Sequence, residues 1–404
     1  MTRRHVLLLV ATLLPGCSTP NPAARGAAAT PAANALAKGD LGAAERGAAS
    51  VLARDAENPK AALVRAIARY ERTANQLSKD LRTVAVGSAL AGGLNQRYLE
   101  SALEQADADL AKVDADLALA ARDPELSLDL CLACWEKDWN GNGRVDSRDR
   151  LLFQIEQDSN GQPIPEDDPR RKPTFRFDHG DVYWARAFVA FQRALIDVAL
   201  GYDFGDLNRL FADDRERPRT LRLRLVRPER VKLAREQVLA GLRHSETSRK
   251  AYLAEKDDER EWVPNPRQKS HPLPLPMDAT LYETWEGVVR DLERLMRSEE
   301  GLSVSELAQL GDHRWKDPPG GFIDLGSMFS APHDIVIDLD VVEHLDRPRK
   351  KQETEAVLRG VLGSHYVRQM KPSPLLRRVG RMKGEVERGE ESLERKLRYL
   401  LWIN

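Results

Sequence analysis

The chain has 404 residues, enough for two or three domains or for one large helical array. Its 62 basic and 63 acidic side chains nearly cancel, so no basic surplus marks it as a nucleic-acid-binding protein. Aromatic residues make up only 6% of the chain, whereas Ala, Leu, Arg and Glu are abundant. This composition predicts a mainly α-helical fold with few short strands.

The first residues are typical of an export signal. Arg3 and Arg4 supply positive charge, and the apolar run from Val6 to Leu14 is too short to span a bilayer as a finished helix. The run ends in the sequence L-P-G-C, which resembles a bacterial lipobox, where a peptidase cuts before a lipidated cysteine. The resemblance implies a lipoprotein signal peptide over residues 1–16 and lipidation of Cys17. A plain secretory signal with an incidental cysteine is the alternative.

The residues that follow bear on location and partners. Lipidated Cys17 implies that the membrane is a partner, because acyl chains anchor a protein at a bilayer. Ser18 stands where an inner-membrane lipoprotein of the enteric type has Asp, so the resemblance favours the outer membrane of the cell envelope. Residues 17–34 are rich in Ala, Pro, Thr and Gly without an apolar period, and they predict a flexible tether.

Residues 35–125 are expected to form helical hairpins. Ala44 and Ala48 provide small residues where two helices cross, and Pro59 marks the start of a new helix after a turn. This pattern resembles one tetratricopeptide (TPR) repeat. The alternative interpretation is an ordinary helical hairpin, in which small residues pack at the helix crossing and give the same sequence pattern. Farther on, glycines at positions 87, 92 and 93 predict a buried turn, and residues 98–121 predict a long amphipathic helix.

The most informative stretch of the sequence runs from Asp138 to Asp149 and reads D-W-N-G-N-G-R-V-D-S-R-D. Oxygen-bearing side chains fall at alternate positions, and Gly143 stands where the chain needs a sharp turn. The stretch resembles the calcium loop of the EF-hand, and more closely its dockerin-type variant that ends in Asp. The resemblance implies an entering helix at 126–137 and an exiting helix at 149–157.

The same resemblance implies the cofactor and its ligands. The donors are all oxygens, which suit Ca²⁺ and exclude soft metals. A solvated Asn/Gly turn is the alternative interpretation. The expected ligands are Asp138, Asn140, Asn142, the backbone carbonyl of Arg144, Asp146 and Asp149.

Cys131 and Cys134 form a C-x-x-C pair just before this loop. In an exported protein a structural disulfide is permitted, and here it is the preferred interpretation. Free buried thiols and a redox role remain alternatives, although the α/β context of a thioredoxin-type motif is absent. No further Cys or His cluster supports zinc binding.

A second, split copy of the loop is also visible. Asp158 and Asn160 echo the start of the first loop, whereas Asp178 and Asp181 echo its end. Region 126–202 is therefore expected to be EF-hand-like, with a second metal site as one interpretation. The alternative is that Asp178 caps a helix over residues 180–202.

Two sets of side chains are candidates for acid–base chemistry. His179 lies beside the carboxyl groups of Asp178 and Asp181. Asp338 and Asp340 fall on one face of an expected strand. A structural role for His179 and a solvated role for the two strand carboxylates are the preferred interpretations, so no catalytic residue is assigned.

Residues 203–404 are expected to form a mainly helical C-terminal region. Alternating apolar residues permit two short strands, and helical periodicity marks five further stretches. The strands are expected at 221–225 and 334–342, a Pro-rich connector at 262–276, a loop at 318–330, and the helices at 228–254, 278–298, 303–310, 354–369 and 379–401.

The sequence thus predicts a membrane-anchored, calcium-binding lipoprotein that acts as a binding or scaffold protein in the bacterial cell envelope. Its partners are expected to be the membrane and other envelope proteins, with no nucleic acid. An envelope hydrolase with an unrecognised acidic site and a C-x-x-C redox protein are the alternatives.

Overall fold

The computed structural model describes most of the chain between residues 22 and 388. The described residues are 22–91, 93–135, 137–138, 143–145, 154–158, 162–211, 219–269, 278–310, 321–339 and 365–388.

Within these residues the protein is mainly α-helical, as the composition predicts. The helices are α1 (Pro22–Ala37), α2 (Leu41–Leu52), α3 (Pro59–Ala91), α4 (Gln96–Ala120), α5 (His179–Gly201), α6 (Pro228–Ala254), α7 (Ala279–Met296), α8 (Val304–Leu310), α9 (Leu325–Ser330) and α10 (Leu375–Arg388). No helix among the described residues has the length and apolar character needed to cross a membrane.

Eight short strands form three small antiparallel sheets in the described part of the chain. Their orders are β1-β2, β3-β4-β7 and β5-β6-β8. The strands are β1 (Leu128–Leu130), β2 (Phe175–Phe177), β3 (Tyr202–Asp203), β4 (Thr220–Leu225), β5 (Leu302–Ser303), β6 (Phe322–Ile323), β7 (Ile335–Asp338) and β8 (Val367–Arg368).

Helices α2 and α3 confirm the helix pair predicted after residue 35. Asp40 caps α2 by accepting a hydrogen bond from the amide of Ala43 at 2.9 Å, and Asn58 caps α3 in the same way through Ala61 at 2.9 Å. The alanines at the crossing are fully buried. Gly47 packs so closely on α1 that an added Cβ would lie 3.1 Å from the Cβ of Ala32.

The tether predicted for residues 17–34 is wrong from residue 22 onward, because these residues belong to α1. Ala29, Ala32 and Leu36 are buried against α2 and α3. Alanine has the highest intrinsic helix propensity, and its small side chain lets helices approach closely. A composition typical of a linker therefore also suits a tightly packed helix. Cys17 lies outside the described residues.

Helices α3, α4 and α5 pack around the largest apolar core. Helix α4 confirms the predicted amphipathic helix, and Asn95 caps it through the amide of Tyr98 at 3.1 Å. Helix α3 continues through Gly87 to Ala91, so the chain turns later than the glycines predict.

Buried ion pairs join these helices to one another. Asp107 on α4 accepts from Arg193 on α5 at 2.8 Å and from Arg230 on α6 at 2.9 Å. Arg230 also donates to Asp197 on α5 at 2.8 Å. One guanidinium thus holds two buried carboxylates, and through them three helices.

Within its described residues, the C-terminal region agrees with the predicted helices and strands at most positions. Strand β4 confirms the strand at 221–225, and β7 confirms a strand within 334–342, but strand β3 and the pairing of β4 with both were not evident from the sequence. The loop predicted at 318–330 is wrong at its end, where Asp324 caps α9 through the amide of Ser327 at 3.0 Å. The helix predicted at 354–369 is wrong at β8, whose residues pair with β6 instead; residues 354–364 are outside the described part.

Candidate functional site

The predicted calcium loop is described only in part. Asp138 and residues 143–145 belong to the described chain, whereas Asn140, Asn142, Asp146 and Asp149 lie outside it. Gly143 has a φ of 88°, a left-handed conformation that favours glycine. Its amide donates to Oδ2 of Asp138 at 2.6 Å. This contact joins Asp138 to Gly143, and the calcium loop itself stays a prediction.

The entering helix predicted at 126–137 is wrong. Leu128–Leu130 form β1, which pairs with β2, and Leu132–Cys134 form a single 3-10 turn. The signal is visible in the sequence L-S-L-D-L, in which every second residue is a buried leucine. On the exiting side, the described residues 154–157 are not helical, and Gln157 forms an isolated bridge with Pro163.

Cys131 and Cys134 form the predicted disulfide, with their Cα atoms 5.3 Å apart. The bond closes the 3-10 turn that follows β1. It therefore constrains a strand–turn junction, where the sequence suggests a helix.

Four carboxyl groups meet at a second location, where β2 leads into α5 and α6 ends. Asp178 and Asp181 begin α5, Glu255 follows the last residue of α6, and Glu261 lies farther along the same connection. We call these four residues the carboxylate cluster. Oxygen atoms of Asp178, Glu255 and Glu261 all lie within 4.8 Å of one another.

Local hydrogen bonds fix the first two members of the carboxylate cluster. Asp178 caps α5, as predicted, by accepting from the amides of Gly180 at 2.7 Å and Asp181 at 3.4 Å. Oδ2 of Asp181 accepts from the amide of Asp178 at 2.9 Å, which completes a capping box. Both oxygens of Asp181 accept hydrogen bonds from within the fold. Asp181 therefore positions Asp178 and leaves the other three carboxyl groups to face one another.

Tyr252 on α6 provides that second engagement. Its buried hydroxyl donates to Oδ1 of Asp181 at 2.6 Å. The close approach of α5 and α6 depends on Gly180, since an added Cβ there would lie 2.6 Å from the Tyr252 ring. Asn265 donates to the Tyr252 carbonyl at 2.8 Å, which ties the segment after α6 back onto the helix.

Glu255 and Glu261 are held by the connection after α6. Gln268 donates to Oε2 of Glu255 at 3.4 Å, and the amide of Glu259 donates to Oε1 of Glu261 at 3.1 Å. Glu261 also forms a parallel bridge with Arg176 of β2. Oε1 of Glu255 is buried, with no N–H or hydroxyl donor among the described residues. Such an orphaned oxygen is suited to ligating a cation.

Burial raises the pKa of every member of the cluster. The pKa of Glu255 rises to about 10, first through burial and then through the charges of Asp178 and Asp181. Burial raises the pKa of Glu261 to about 7. The pKa values of Asp178 and Asp181 are raised too, that of Asp181 strongly, with burial as the main cause. In the part of the chain that the structure describes, none of the four forms an ion pair with a basic side chain. Ionising all four at once therefore requires another positive charge.

The split second loop predicted from the sequence is brought together only in part. Asp178 and Asp181 meet at the start of α5, but with Glu255 and Glu261 as neighbours. Oδ1 of Asp158 accepts from the amide of Gln162 at 2.9 Å in a local turn. Asn160 lies outside the described residues.

The structure places the two sets of acid–base candidates, His179 and the pair Asp338 and Asp340, in different surroundings. The ring of His179 packs edge-on against Tyr183 at 5.1 Å, and its buried Nδ1 has no hydrogen-bond partner in the described chain. Asp338 belongs to β7 and pairs in register with Thr220. Asp340 lies outside the described residues.

Sequence reasoning missed Glu255 and Glu261. Both occur in the stretch E-K-D-D-E-R-E, which has the composition of a solvated surface. The one available signal was the position of Glu255 directly after a predicted helix end, which does not indicate which distant residues it faces. No protein-family model matches this chain, and no curated protein or solved structure is detectably similar to it. A function therefore has to be inferred from the residues and their geometry.

Proposed function

We propose that this chain is a calcium-binding lipoprotein, anchored through Cys17 in the outer membrane, that acts as a binding or scaffold protein in the bacterial cell envelope. The export signal, the lipobox resemblance and the loop that begins at Asp138 support the anchor and the cation. The observation that carries the proposal is the carboxylate cluster, in which two buried acids, Asp181 and Glu261, and two half-buried ones, Asp178 and Glu255, meet without an ion-paired base among the described residues.

The donor set of the cluster suits a hard divalent cation. Asp178, Glu255 and Glu261 offer carboxylate oxygens, and Ca²⁺ takes six to eight oxygen ligands with flexible geometry, water and backbone carbonyls among them. A doubly charged ion offsets both the burial and the mutual repulsion that raise the pKa of these acids. Soft metals prefer thiolate or imidazole ligands, which the cluster does not provide.

The expected role of the ion is structural. The cluster joins the start of α5, the end of α6 and the connection that follows, so a cation there links three segments. A ligand that binds only the folded protein at about 100 times its dissociation constant adds about 2.7 kcal/mol to the free energy of unfolding. Exported calcium modules bind at about 10⁻⁴ to 10⁻³ M, which suits constant occupancy and not switching.

Titration calorimetry with CaCl₂ on the mature, unlipidated protein tests this proposal. The wild type is expected to bind Ca²⁺ at the loop and at the cluster. Asp138→Ala is expected to remove the loop site only, and Glu255→Gln the cluster site only. Glu259→Gln is the matched control, because it makes the same charge change on an exposed neighbour.

Two outcomes overturn parts of the proposal separately. Unchanged calcium binding in Glu255→Gln removes the cluster site, and unchanged binding in Asp138→Ala removes the loop site. If the wild type binds no Ca²⁺ at millimolar concentration, the calcium function is wrong altogether.

An envelope hydrolase is the second candidate, and one observation favours it. Burial raises the pKa of Glu261 to about 7, which is where a general acid or base works best near neutral pH. Assays with chromogenic ester and glycoside substrates test this candidate. Turnover that Glu261→Gln abolishes and Glu259→Gln preserves would replace the binding function with a catalytic one.

A further inference from the structure

A separate feature lies on the other side of Asp181, where an apolar cavity of about 370 Å³ opens among α3, α4, α5 and the β1-β2 pair. Its walls are mostly aliphatic and aromatic side chains. Those used below are Leu63 and Ile67 on α3, Leu117 on α4, Trp184 and Phe188 on α5, and Phe177 of β2. Cavities of about 300 to 1,000 Å³ are the usual size for small-molecule sites.

The walls of this cavity are held by contacts that do not depend on a ligand. The rings of Trp184 and Phe188 stack with their centroids 5.4 Å apart, and Tyr70 packs on Phe188 at 6.2 Å. The hydroxyl of Tyr70 accepts a hydrogen bond from Gln192 at 2.9 Å. A preformed apolar pocket of this size, partly open to solvent, has the character of a small-molecule site.

The charged groups that line the cavity are already compensated. Lys137 forms an ion pair with Glu71, and both side chains are largely buried. Asp181 is engaged by Tyr252 and by the amide of Asp178. An ionised ligand would thus lose its hydration without gaining a counter-ion, whereas an uncharged one loses little.

We propose that this cavity binds one uncharged, largely apolar small molecule, about the size of a substituted naphthalene. The lining supplies dispersion contacts and aromatic faces, and the paired charges at its edge exclude ionised analogues. This site does not depend on the calcium proposal, because none of the cavity contacts above requires a bound cation.

The neutral fluorophore N-phenyl-1-naphthylamine is a suitable probe, since its emission rises on transfer from water to an apolar site. Titration into the mature protein, in EDTA and again in Ca²⁺, is expected to give saturable binding with one probe per chain. Energy transfer from Trp184, which lines the cavity, is expected to accompany binding.

A cavity-filling variant and a matched control test the location. Ala185 on α5 lines the cavity, and Ala185→Phe is expected to weaken binding by at least about tenfold. Ala115→Phe places the same ring on an exposed position of α4 and is expected to leave binding unchanged. If circular dichroism shows that Ala185→Phe is unfolded, Ala74→Phe on α3 fills the cavity from the opposite wall.

The sulfonated analogue 1-anilinonaphthalene-8-sulfonate tests the ligand class, because it has the same rings and one negative charge. Its binding is expected to be at least about tenfold weaker. Equal binding of the two probes would overturn the preference for uncharged ligands. Absence of saturable binding, or wild-type affinity in a folded cavity-filling variant, would overturn the site itself.

Discussion

Single residues determine how closely α5 and α6 can approach and how their acids titrate. Gly180 leaves room for the Tyr252 ring, Tyr252 donates to Asp181, and Asp181 in turn holds the amide of Asp178. The two hydrogen bonds satisfy polar groups that the fold buries, and a buried polar group that is hydrogen-bonded costs little folding free energy. The pKa of Glu255 rises to about 10, first through burial and then through the charges of Asp178 and Asp181, so Glu255 extends the response to pH above neutrality.

The first prediction concerns stability and pH. A carboxyl group whose pKa is higher in the folded state binds its proton more tightly there, so stability falls as pH rises from the unfolded pKa to the folded one. For Glu261 this window runs from 4.5 to about 7, and for Glu255 from 4.5 to about 10. In EDTA, the free energy of unfolding by urea is therefore expected to decrease steadily from about pH 5 to about pH 9.

Two comparisons make that prediction specific to the cluster. Glu255→Gln is expected to flatten the decrease above neutral pH, and Glu259→Gln is expected to retain it. Saturating Ca²⁺ is expected to reduce the decrease in the wild type. A wild-type profile that stays flat in EDTA would contradict the pKa assignments.

The second prediction compares two glycines within helices. Gly180→Ala places a Cβ about 2.6 Å from the Tyr252 ring, so the two helices must separate, at a cost of about 1–3 kcal/mol. Gly87→Ala on α3 meets nothing within 4 Å and is expected to stabilise the protein by about 0.5–1 kcal/mol through helix propensity. Urea unfolding measures both. Equal effects in the two variants would show that the close approach of α5 and α6 is not limiting.

At the scale of elements, α5 has the largest number of roles. Its first turn forms part of the carboxylate cluster, one face lines the apolar cavity, and Asp197 near its end joins the ion pairs with α4 and α6. Arg230 on α6 connects α6 by charge to both other helices, because it contacts Asp107 on α4 and Asp197 on α5.

The third prediction follows from that connection. Arg230→Met leaves the fully buried Asp197 and the buried Asp107 with less compensation, so a loss of about 3 kcal/mol is expected. Lys232→Met, on an exposed position of the same helix, is expected to change stability by less than about 0.5 kcal/mol. Chemical unfolding at neutral pH distinguishes them, and similar losses in both would argue against the ion pairs.

The elements also show what a sequence can and cannot reveal. Helices α4, α5 and α6 and the cap at Asp178 were predictable, since apolar periodicity and capping are local signals. Helix α1 was missed because alanine-rich segments serve equally well as linkers and as close-packed helices. Strand β1 was missed because the resemblance to a calcium loop outweighed the alternation of its leucines.

The candidate site was harder to predict than the helices around it. Asp178 and Asp181 were recognised as acidic residues near a helix start, which is a local property. Their meeting with Glu255 and Glu261 depends on how α5 packs on α6, and a single sequence carries no direct signal for that contact.

At the scale of the whole molecule, the proposed anchor determines where the protein acts. The fourth prediction is that Cys17→Ala prevents lipidation and shifts the exported protein from the membrane to the soluble fraction. A double variant of Cys131 and Cys134 to Ser is the control and is expected to remain with the membrane. Membrane association of Cys17→Ala, together with no incorporation of labelled fatty acid into the wild type, would contradict the lipobox interpretation.

The pairing of β4 with β7 has a consequence for the order of folding. Helices α1 to α4 contact near neighbours in sequence and can form as soon as they are synthesised. Strand β4 can pair early with β3, but its other edge has to wait for β7, and Asp334, just before β7, accepts from the amide of Leu225 across 109 residues. Closing so long a loop is entropically slow, and contacts of this span delay the rate-limiting step. The edge of β4 that faces β7 therefore stays unpaired until β7 has been synthesised, and proteases that act on nascent chains are expected to cut in this segment.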